Sequence, residues 1–224
     1  MPAKTAKPSF EHSPFVLAPQ QARSREALGK IVAAAITVVG EKGPDRFSMA
    51  DVARASGVPV ASIYRRFRCK EDLILAIKLD ATSRIEEAVT EELSGRAFTD
   101  IRHLVSTYAL TTAGAFARDE ALHHLLFNLP VKSPWLDHVG IEGRLRIFAR
   151  YRTALLPLIL GATASRRELL VQISFQIVAS GLLSKARGAT DELFALSWSE
   201  VAGEFGQAAA SYLESNVMDR GTIA

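Results

Sequence analysis

A dense run of positive charge follows a glycine turn in the segment FSMADVARASGVPVASIYRRFRCKEDL, which spans residues 47–73. Arg65, Arg66, Arg68 and Lys70 lie close together in that segment. The planar guanidinium group of arginine binds phosphates and the edge of guanine through paired hydrogen bonds. A packed core rarely accommodates so much charge. The run therefore predicts a surface that binds a polyanion.

The residues before this charge predict a short helix, a tight turn and a second short helix. Ser48 and Asp51 have the spacing of a capping box, which predicts a helix start at Ser48. Gly57 can adopt the left-handed conformation that ends a helix. Pro59 suits the first position of the next helix. Together these signals predict a helix-turn-helix motif.

The second helix of this motif has two distinct faces. Ile63 and Phe67 are one turn apart and are expected to face the core. The opposite face carries small side chains at the start of the helix and cationic side chains further along. Small residues allow a close approach to base edges, and arginines can bind phosphates or guanine. The predicted DNA-contacting residues are Ser48, Pro59, Val60, Ala61, Ser62, Tyr64, Arg65, Arg66 and Lys70, with Arg25 in the first helix.

The charge of the chain is unevenly distributed, although its formal net value is only +3. Residues 20–70 contain ten Lys or Arg against four Asp or Glu, a balance of +6. Residues 71–224 contain fifteen against nineteen, a balance of −4. A basic N-terminal segment on an acidic remainder favours a polyanionic partner at one end of the protein.

The composition predicts an all-α protein. Hydrophobic residues make up 48% of the 224 residues, and they recur at helical rather than alternating spacing. The longest apolar runs fall short of the roughly 20 residues that span a bilayer, so no membrane partner is expected. The single cysteine, Cys69, cannot form an internal disulfide, and this favours a reducing, cytoplasmic location.

The chain is predicted to have three parts. Residues 1–20 contain four prolines and predict a flexible arm. Residues 21–70 predict the helix-turn-helix domain, and residues 71–224 predict a helical domain for ligand binding and dimerisation, joined to it by a long helix. The predicted helices cover about residues 24–42, 48–56, 59–67, 70–93, 98–117, 119–128, 138–160, 165–186 and 191–217.

Aromatic residues in the C-terminal domain could line a cavity for a small ligand. Ligand pockets are mostly apolar with a few polar groups, and no ionisable residue is obviously buried among these side chains, so an apolar or aromatic ligand is predicted. Aromatic residues at helical spacing also build plain cores, and that alternative stays open. The candidate ligand-binding residues are Tyr108, Phe116, Phe127, Trp135, Phe148, Tyr151, Gln172, Phe175 and Gln176.

The last predicted helix carries an apolar seam with the 4-3-4-3-4 spacing of a coiled coil. The preceding helix is apolar on nearly all sides and needs cover from more than one direction. We expect the seam to form a homodimer interface, although a single chain could also bury it internally. The seam consists of Phe194, Trp198, Val201, Phe205, Ala208 and Tyr212.

Metal and catalytic chemistry find less support. Glu120 and His124 are one turn apart with His123 beside them, but this set is incomplete, so neither a metal nor a cofactor is predicted. A redox role for Cys69 is conceivable, because a helix N-terminus beside arginines lowers the pKa of a thiol. The sequence contains no nucleophile elbow, glycine-rich phosphate loop or HExxH motif, which argues against an enzyme.

The segment FSMADVARASGVPVASIYRRFRCKEDLILAI resembles the DNA-binding signature of the TetR family of bacterial transcriptional repressors, over about residues 24–75. The resemblance implies a homodimeric repressor of a palindromic operator, released when a small ligand binds the variable C-terminal helical domain. It also implies that the Tyr64 hydroxyl donates a hydrogen bond to a phosphate.

Two residues depart from the family pattern. Pro59 stands where the family usually has a Ser or Thr cap, and Ala61 stands where it often has Gly. Both departures leave the operator sequence open. They also leave open a helical dimer that acts through protein partners without a DNA role, and an enzyme built on the helical domain is a further alternative.

Overall fold

Helices form the regular structure of the described residues, which confirms the predicted all-α class. The computed structural model describes residues 22–94, 97–128, 134–188 and 195–218, and the predicted arm over residues 1–20 lies outside them. The helices are α1 (Ala22–Lys42), α2 (Met49–Ser56), α3 (Val60–Tyr64), α4 (Lys70–Ser94), α5 (Ile101–Arg118), α6 (Glu120–Phe127), α7 (Pro134–Leu155), α8 (Ala164–Ala186) and α9 (Trp198–Met218), and a 3-10 turn (Leu156–Leu158) follows α7.

The first compact unit contains the described residues of Met1–Ser83 and Asn128–Gly140, and it therefore includes α1, α2, α3 and the beginnings of α4 and α7. It extends further along α4 than the predicted domain boundary after residue 70. Val52 of α2, Ile63 of α3 and Phe67 are fully buried. A helix as short as α3 is unstable alone, so packing against these neighbours must hold it.

The third helix is shorter than predicted. The sequence predicted residues 59–67, but α3 spans Val60–Tyr64, with Pro59 at the N-cap rather than at the first helical position. Pro59 has φ −54° and ψ 136°, because an N-cap residue adopts extended rather than helical angles. A hydrogen bond from Phe67 N to Ile63 O, 2.9 Å long, continues the turn beyond the regular helix.

The second compact unit contains the described residues of Arg84–Phe127 and Ile141–Ala224. Its α9 packs most extensively against α5 and α8. Glycines allow α9 to approach both α8 and α5 closely. A Cβ at Gly181 of α8 would overlap the ring of Phe205 of α9, and a Cβ at Gly206 of α9 would lie 3.3 Å from Ala109 Cβ of α5. The absence of side chains at these two positions permits the observed packing.

The last helix begins later than predicted. The sequence predicted a start at about residue 191, but residues 195–197 are not helical and α9 starts at Trp198. Ser197 and Glu200 form a capping box, with Glu200 N donating to Ser197 Oγ at 3.2 Å and Ser197 N donating to Glu200 Oε2 at 2.7 Å. The sequence contains this Ser-x-x-Glu capping signal. The apolar residues before it also have helical spacing, and for this reason the predicted helix began too early.

One helix of the described chain, α8, is long and apolar enough to cross a membrane by length and composition alone. Half of its apolar window is buried in the protein, and α8 packs against α5, α6 and α9. A helix covered on several sides needs an apolar surface on several sides. We therefore assign α8 to the core of the second unit.

Candidate functional site

A capping box fixes the start of α2, as the sequence predicted. Ser48 N donates to Asp51 Oδ2 at 2.9 Å, and Asp51 N donates to Ser48 Oγ at 3.2 Å. Lys42, the last residue of α1, lies 2.7 Å from Asp51 Oδ1. Hydrogen bonds from Lys42, and then from Ser48, hold the pKa of Asp51 well below its ordinary value of 3.8. The same carboxylate therefore ties the end of α1 to the start of α2.

The Ser48 hydroxyl is less available to DNA than the sequence predicted. Besides accepting from the Asp51 backbone, Ser48 Oγ donates to Asp51 Oδ2 at 2.7 Å. Both its hydrogen and one of its lone pairs are thus used within the protein. The structure assigns Ser48 a role in placing α2.

A left-handed glycine joins α2 to α3. Gly57 has φ 67°, a conformation that side chains other than glycine rarely adopt. The following residue is held by a hydrogen bond from Val58 N to Ser56 Oγ, 3.2 Å long. The turn therefore sets the direction of α3 relative to α2, which is the function of the turn in a helix-turn-helix motif.

One face of α3 is buried and the other is exposed. Ile63 is fully buried, whereas Val60 is 41% exposed and Tyr64 is 52% exposed. Arg65 is exposed, and its Nη2 donates to Ser62 Oγ at 2.8 Å. Exposed apolar and aromatic side chains beside an arginine form a surface that could contact both the groove and the phosphates of a nucleic acid.

The structure gives part of the cationic run internal partners. Lys70 Nζ donates to Asp45 O at 3.1 Å and lies 4.6 Å from the ring centroid of Phe47. Arg68 Nε donates to Asp72 Oδ2 at 3.1 Å. The ammonium group of Lys70, a predicted DNA contact, joins the α1–α2 loop to the start of α4 in the free chain.

Arg66 and Arg25 are the other two cationic candidates for a DNA contact. Arg66 is half-buried, and burial, followed by the charge of Arg65, lowers the pKa of its guanidinium group. The backbone of Arg25 lies in α1, but its side chain is outside the described residues.

Four of the predicted ligand-binding residues form an aromatic cluster in the second unit. Tyr108 lies 4.8 Å from Tyr151 and 5.4 Å from Phe175 between ring centroids, and Phe148 lies 5.1 Å from Phe175. The Tyr151 hydroxyl donates to Ser174 Oγ at 3.0 Å. Burial raises the pKa of both tyrosines. These rings pack directly on one another, as in the core alternative that the sequence left open.

A second group of rings surrounds Phe116. Its centroid lies 4.9 Å from that of His123, 5.4 Å from that of Trp198 and 6.0 Å from that of Phe127. The sequence predicted Phe116 and Phe127 here, but it did not predict His123 and Trp198 as ligand-site residues. A usable signal for His123 was its position one turn before Phe127 on the same short helix.

The two predicted polar residues of the ligand site lie elsewhere. Gln172 and Gln176 are exposed on α8, and Gln176 Nε2 donates to Ser180 Oγ on the same helix. In the single chain, therefore, neither glutamine lies among the buried rings, where it was predicted to hydrogen bond to a ligand. Trp135 lies in α7, but its side chain is outside the described residues.

Comparison with known proteins identifies the helix-turn-helix segment. Residues 31–77 match the family model described as bacterial regulatory proteins, tetR family. The chain carries the helix-turn-helix segment of the TetR family. The matched residues include α2, α3 and the beginning of α4, whose geometry is given above. No curated protein sequence matches the chain.

Solved structures of TetR-family regulators resemble this chain in fold over most of its length. A TetR-family regulator from Mesorhizobium loti is 20% identical with a TM-score of 0.69, covering 87% of this chain and 98% of that one. FadR from Bacillus subtilis, solved in complex with stearoyl-CoA, is 15% identical with a TM-score of 0.66, covering 83% and 98%. FadR from Bacillus halodurans, a fatty acid degradation regulator, is 16% identical with a TM-score of 0.62, covering 82% and 97%. At these identities the likeness shows the fold of TetR-family regulators.

The seam predicted for dimerisation lies largely inside the protomer. Trp198 and Val201 are buried, and Phe205 and Tyr212 pack against the core of the second unit. Ala208 is exposed, and Phe194 lies outside the described residues. The coiled-coil spacing correctly indicated a buried face, but α5 and α8 of the same chain cover it.

The alternatives involving Cys69 and the histidines gain no support from the geometry. Desolvation by burial raises the pKa of the Cys69 thiol, opposite to the shift that the sequence suggested. His123 is buried whereas His124 is exposed, so their side chains do not point to one place. Within the described ranges, no three His, Cys, Asp or Glu residues are grouped so that they could hold a metal ion.

Acid is expected to destabilise the second unit through His123. Burial lowers the pKa of His123 below its ordinary value of 6.5, so the unfolded chain binds the proton first as the pH falls. The free energy of unfolding should then decrease as the pH falls below about 6.5. Urea unfolding of His123→Phe between pH 7 and pH 5 should show a smaller decrease than the parent.

The exposed neighbour on the same helix provides the control for this prediction. His124→Gln should retain the pH dependence of the parent protein. If His123→Phe retained it as fully as the control does, His123 would not be the buried neutral group responsible.

Proposed function

We propose that the protein is a DNA-binding transcriptional regulator, most simply a homodimeric repressor of a palindromic operator. The observation that carries this proposal is the exposed face of α3 beside Arg65, within a segment that matches the TetR family. Two copies related by a two-fold axis would place two α3 helices in successive major grooves, about 34–36 Å apart or a multiple of that distance.

Each part of the exposed face has a separate proposed contact. Val60 and Ala61, both exposed and small, would approach base edges, and the Ala61 methyl group could contact a thymine methyl. Tyr64 and Arg65 would bind phosphates, since the Tyr64 hydroxyl is on the exposed side. Arg66, at the following position, would bind a phosphate or guanine.

The decisive experiment is a selection of bound DNA fragments from the source genome with the purified protein, at two salt concentrations. Enrichment of a palindromic site, weakened by added salt, is expected because phosphate contacts release counterions. The Arg65→Ala/Arg66→Ala variant should bind the enriched site at least about tenfold more weakly.

A matched pair of exposed arginines in the second unit controls for the loss of charge. Arg144→Ala/Arg150→Ala removes the same charge from α7 and should bind the site as the parent does. Binding that survives the Arg65/Arg66 substitutions would contradict the proposed interface. Absence of any enriched site at low salt would favour a helical dimer that acts through protein partners.

We place the proposed dimer contact on the exposed sides of α8 and α9 rather than on the predicted seam. The exposed side chains of α8 include Leu169, Gln172 and Gln176, and α9 exposes Gly203 and Gln207. A Cβ at Gly203 would meet nothing within 4 Å in the protomer. A mixed apolar and polar face with a small residue allows another helix to approach closely.

Gly203→Arg should therefore dissociate the dimer without destabilising the protomer. The protomer has open space at this position, and a helical glycine is already unfavourable by roughly 1 kcal/mol relative to alanine. Sedimentation velocity should show a monomer for Gly203→Arg and a dimer for Gly114→Arg, a substitution at an equally open position on α5. A dimer in both variants would place the interface elsewhere.

The proposed ligand is a small apolar or aromatic molecule bound in the second unit. FadR from Bacillus subtilis was solved with stearoyl-CoA, which supports an apolar ligand for a chain of the same fold. The ligand can release DNA only if it binds two conformations of the protein with different affinity. The helix α4 contributes residues to both units, and it is the proposed element that couples them. The proposed regulator is cytoplasmic and has no enzymatic activity.

A further inference from the structure

Pro59 leaves the first turn of α3 without a side-chain cap. It is the N-cap residue of this helix, and its side chain makes no capping hydrogen bond. In a capping box, the third helical residue bonds back to the backbone N–H of the N-cap. That bond cannot form here, because proline has no N–H. The third residue of α3 is Ser62, and its hydroxyl is therefore not needed at the start of the helix.

The Ser62 hydroxyl instead accepts a hydrogen bond from Arg65. Arg65 Nη2 donates to Ser62 Oγ at 2.8 Å, a normal length for such a bond. Arg65 is the C-cap residue and keeps helical angles, with φ −66° and ψ −15°, and residues three apart on a helix lie on the same face. The bond therefore turns the Arg65 side chain back along the exposed face of α3.

The partner of Arg65 is neutral, unlike the partners of two nearby arginines. Arg54 Nη1 donates to Asp51 Oδ1 at 3.3 Å, and Arg68 Nε donates to Asp72 Oδ2 at 3.1 Å. A carboxylate offsets the positive charge of the arginine that it binds, whereas a hydroxyl does not. The charge of Arg65 thus remains available to a phosphate.

The bond to Ser62 also leaves Arg65 able to make a paired contact. A guanidinium group has five N–H donors, which include two forks of parallel donors, Nε with Nη2 and Nη2 with Nη1. Whichever Nη2 hydrogen Ser62 Oγ accepts, the other fork stays complete. Arg65 can therefore be held by Ser62 and bind a phosphate through two hydrogen bonds at the same time.

We propose that Ser62 is a positioning residue for DNA binding, which holds the Arg65 guanidinium group over the exposed face of α3 before DNA is bound. An arginine loses rotamer freedom when it binds a partner, and holding it beforehand reduces that cost. The proposal differs from the sequence prediction, in which Ser62 contacts DNA directly. It rests on the proposed function, because it concerns the same DNA-binding face.

Relaxation of the Arg65 Nε–Hε group in the free, full chain tests the positioning without DNA. The proton–nitrogen heteronuclear NOE should be higher for Arg65 than for Arg150, an exposed arginine of α7, because a hydrogen bond restricts fast motion. Ser62→Ala should lower the Arg65 value to that of Arg150, and Ser62→Thr, which keeps a hydroxyl, should retain it. Equal values for the two arginines in the parent, or no change in Ser62→Ala, would overturn the proposal.

A double-mutant cycle on DNA affinity distinguishes positioning from direct contact. Ser62→Ala should weaken binding of the enriched site by about threefold to tenfold. In the Arg65→Ala background it should have almost no effect, because no guanidinium group remains to be positioned. The same loss in both backgrounds would indicate a direct contact and contradict the proposal. Alanine is the better helix former, so the thermal stability of Ser62→Ala should be no lower than that of the parent.

Failure of this proposal can be told apart from failure of the proposed function. Enrichment of a DNA site, with an unrestricted Arg65 or with equal losses in both backgrounds, would retain the regulator and reject the role of Ser62. Absence of any enriched site would reject the regulator and the positioning role with it, even if Ser62 orders Arg65.

Discussion

Replacing Gly181 with Ala is expected to lower the free energy of unfolding of the second unit by about 1–3 kcal/mol. Alanine is normally the better helix former, so helix propensity alone predicts the opposite sign. A Cβ at Gly181 would overlap the Phe205 ring of α9, and both residues belong to the tightly packed contact between α8 and α9. Overpacking should therefore outweigh the gain in helix propensity. Urea unfolding followed by circular dichroism measures the change.

A second substitution tests whether the Phe205 ring is the cause. Gly181→Ala/Phe205→Leu should be more stable than the sum of the two single changes predicts, because the smaller side chain makes room for the methyl group. Gly114→Ala on α5 meets open space and should stabilise slightly. A Gly181→Ala protein as stable as the parent would show that α8 and α9 separate without cost.

Replacing Phe67 with Ala is expected to destabilise the first unit by about 3–5 kcal/mol and to abolish DNA binding. Phe67 is fully buried, as is Ile63 of α3, and removal of its ring would leave a cavity beneath a helix too short to persist alone. Hydrogen exchange resolved by peptide should show lost protection in α2 and α3, with protection in α5 and α9 retained.

Two controls separate the loss of folding from the loss of contacts. Tyr64→Ala removes an exposed ring from the same short helix and should weaken DNA binding while leaving hydrogen exchange near that of the parent. The Arg65→Ala/Arg66→Ala variant should behave in the same way. Retained protection of α2 and α3 in Phe67→Ala would contradict the proposed dependence of α3 on this side chain.

The helix-turn-helix could be predicted because its signals are local. Ser48, Asp51 and Gly57 each act on neighbours within a few residues, and the structure gives them the predicted cap and left-handed turn. The exposed and buried faces of α3 likewise follow from helical spacing. The hydrogen bond of Lys70 to Asp45 O could not be predicted, because Asp45 is 25 residues earlier in the sequence.

The second unit was harder to predict because its contacts join distant parts of the chain. The spacing of Trp198 and Val201 correctly indicates a buried face, but spacing does not specify which helix covers that face. Gln172 and Gln176 were taken as inward polar groups from their neighbours in the sequence, and the rotation of α8 places both outside. The grouping of His123 with Trp198 around Phe116 arises only when α5, α6 and α9 meet.

The buried side chains of α3 hold the helix in place and the exposed ones face outward, so the DNA sequence that the protein binds could change without loss of the fold. The side chains that hold the helix, Ile63 and the following Phe67, are buried, whereas Val60, Ala61 and Tyr64 are exposed. Exposed substitutions usually alter stability by less than about 0.5 kcal/mol. New operator sequences could therefore be acquired by successive changes on the exposed face, each leaving a folded protein, while the remainder of the chain stays as it is.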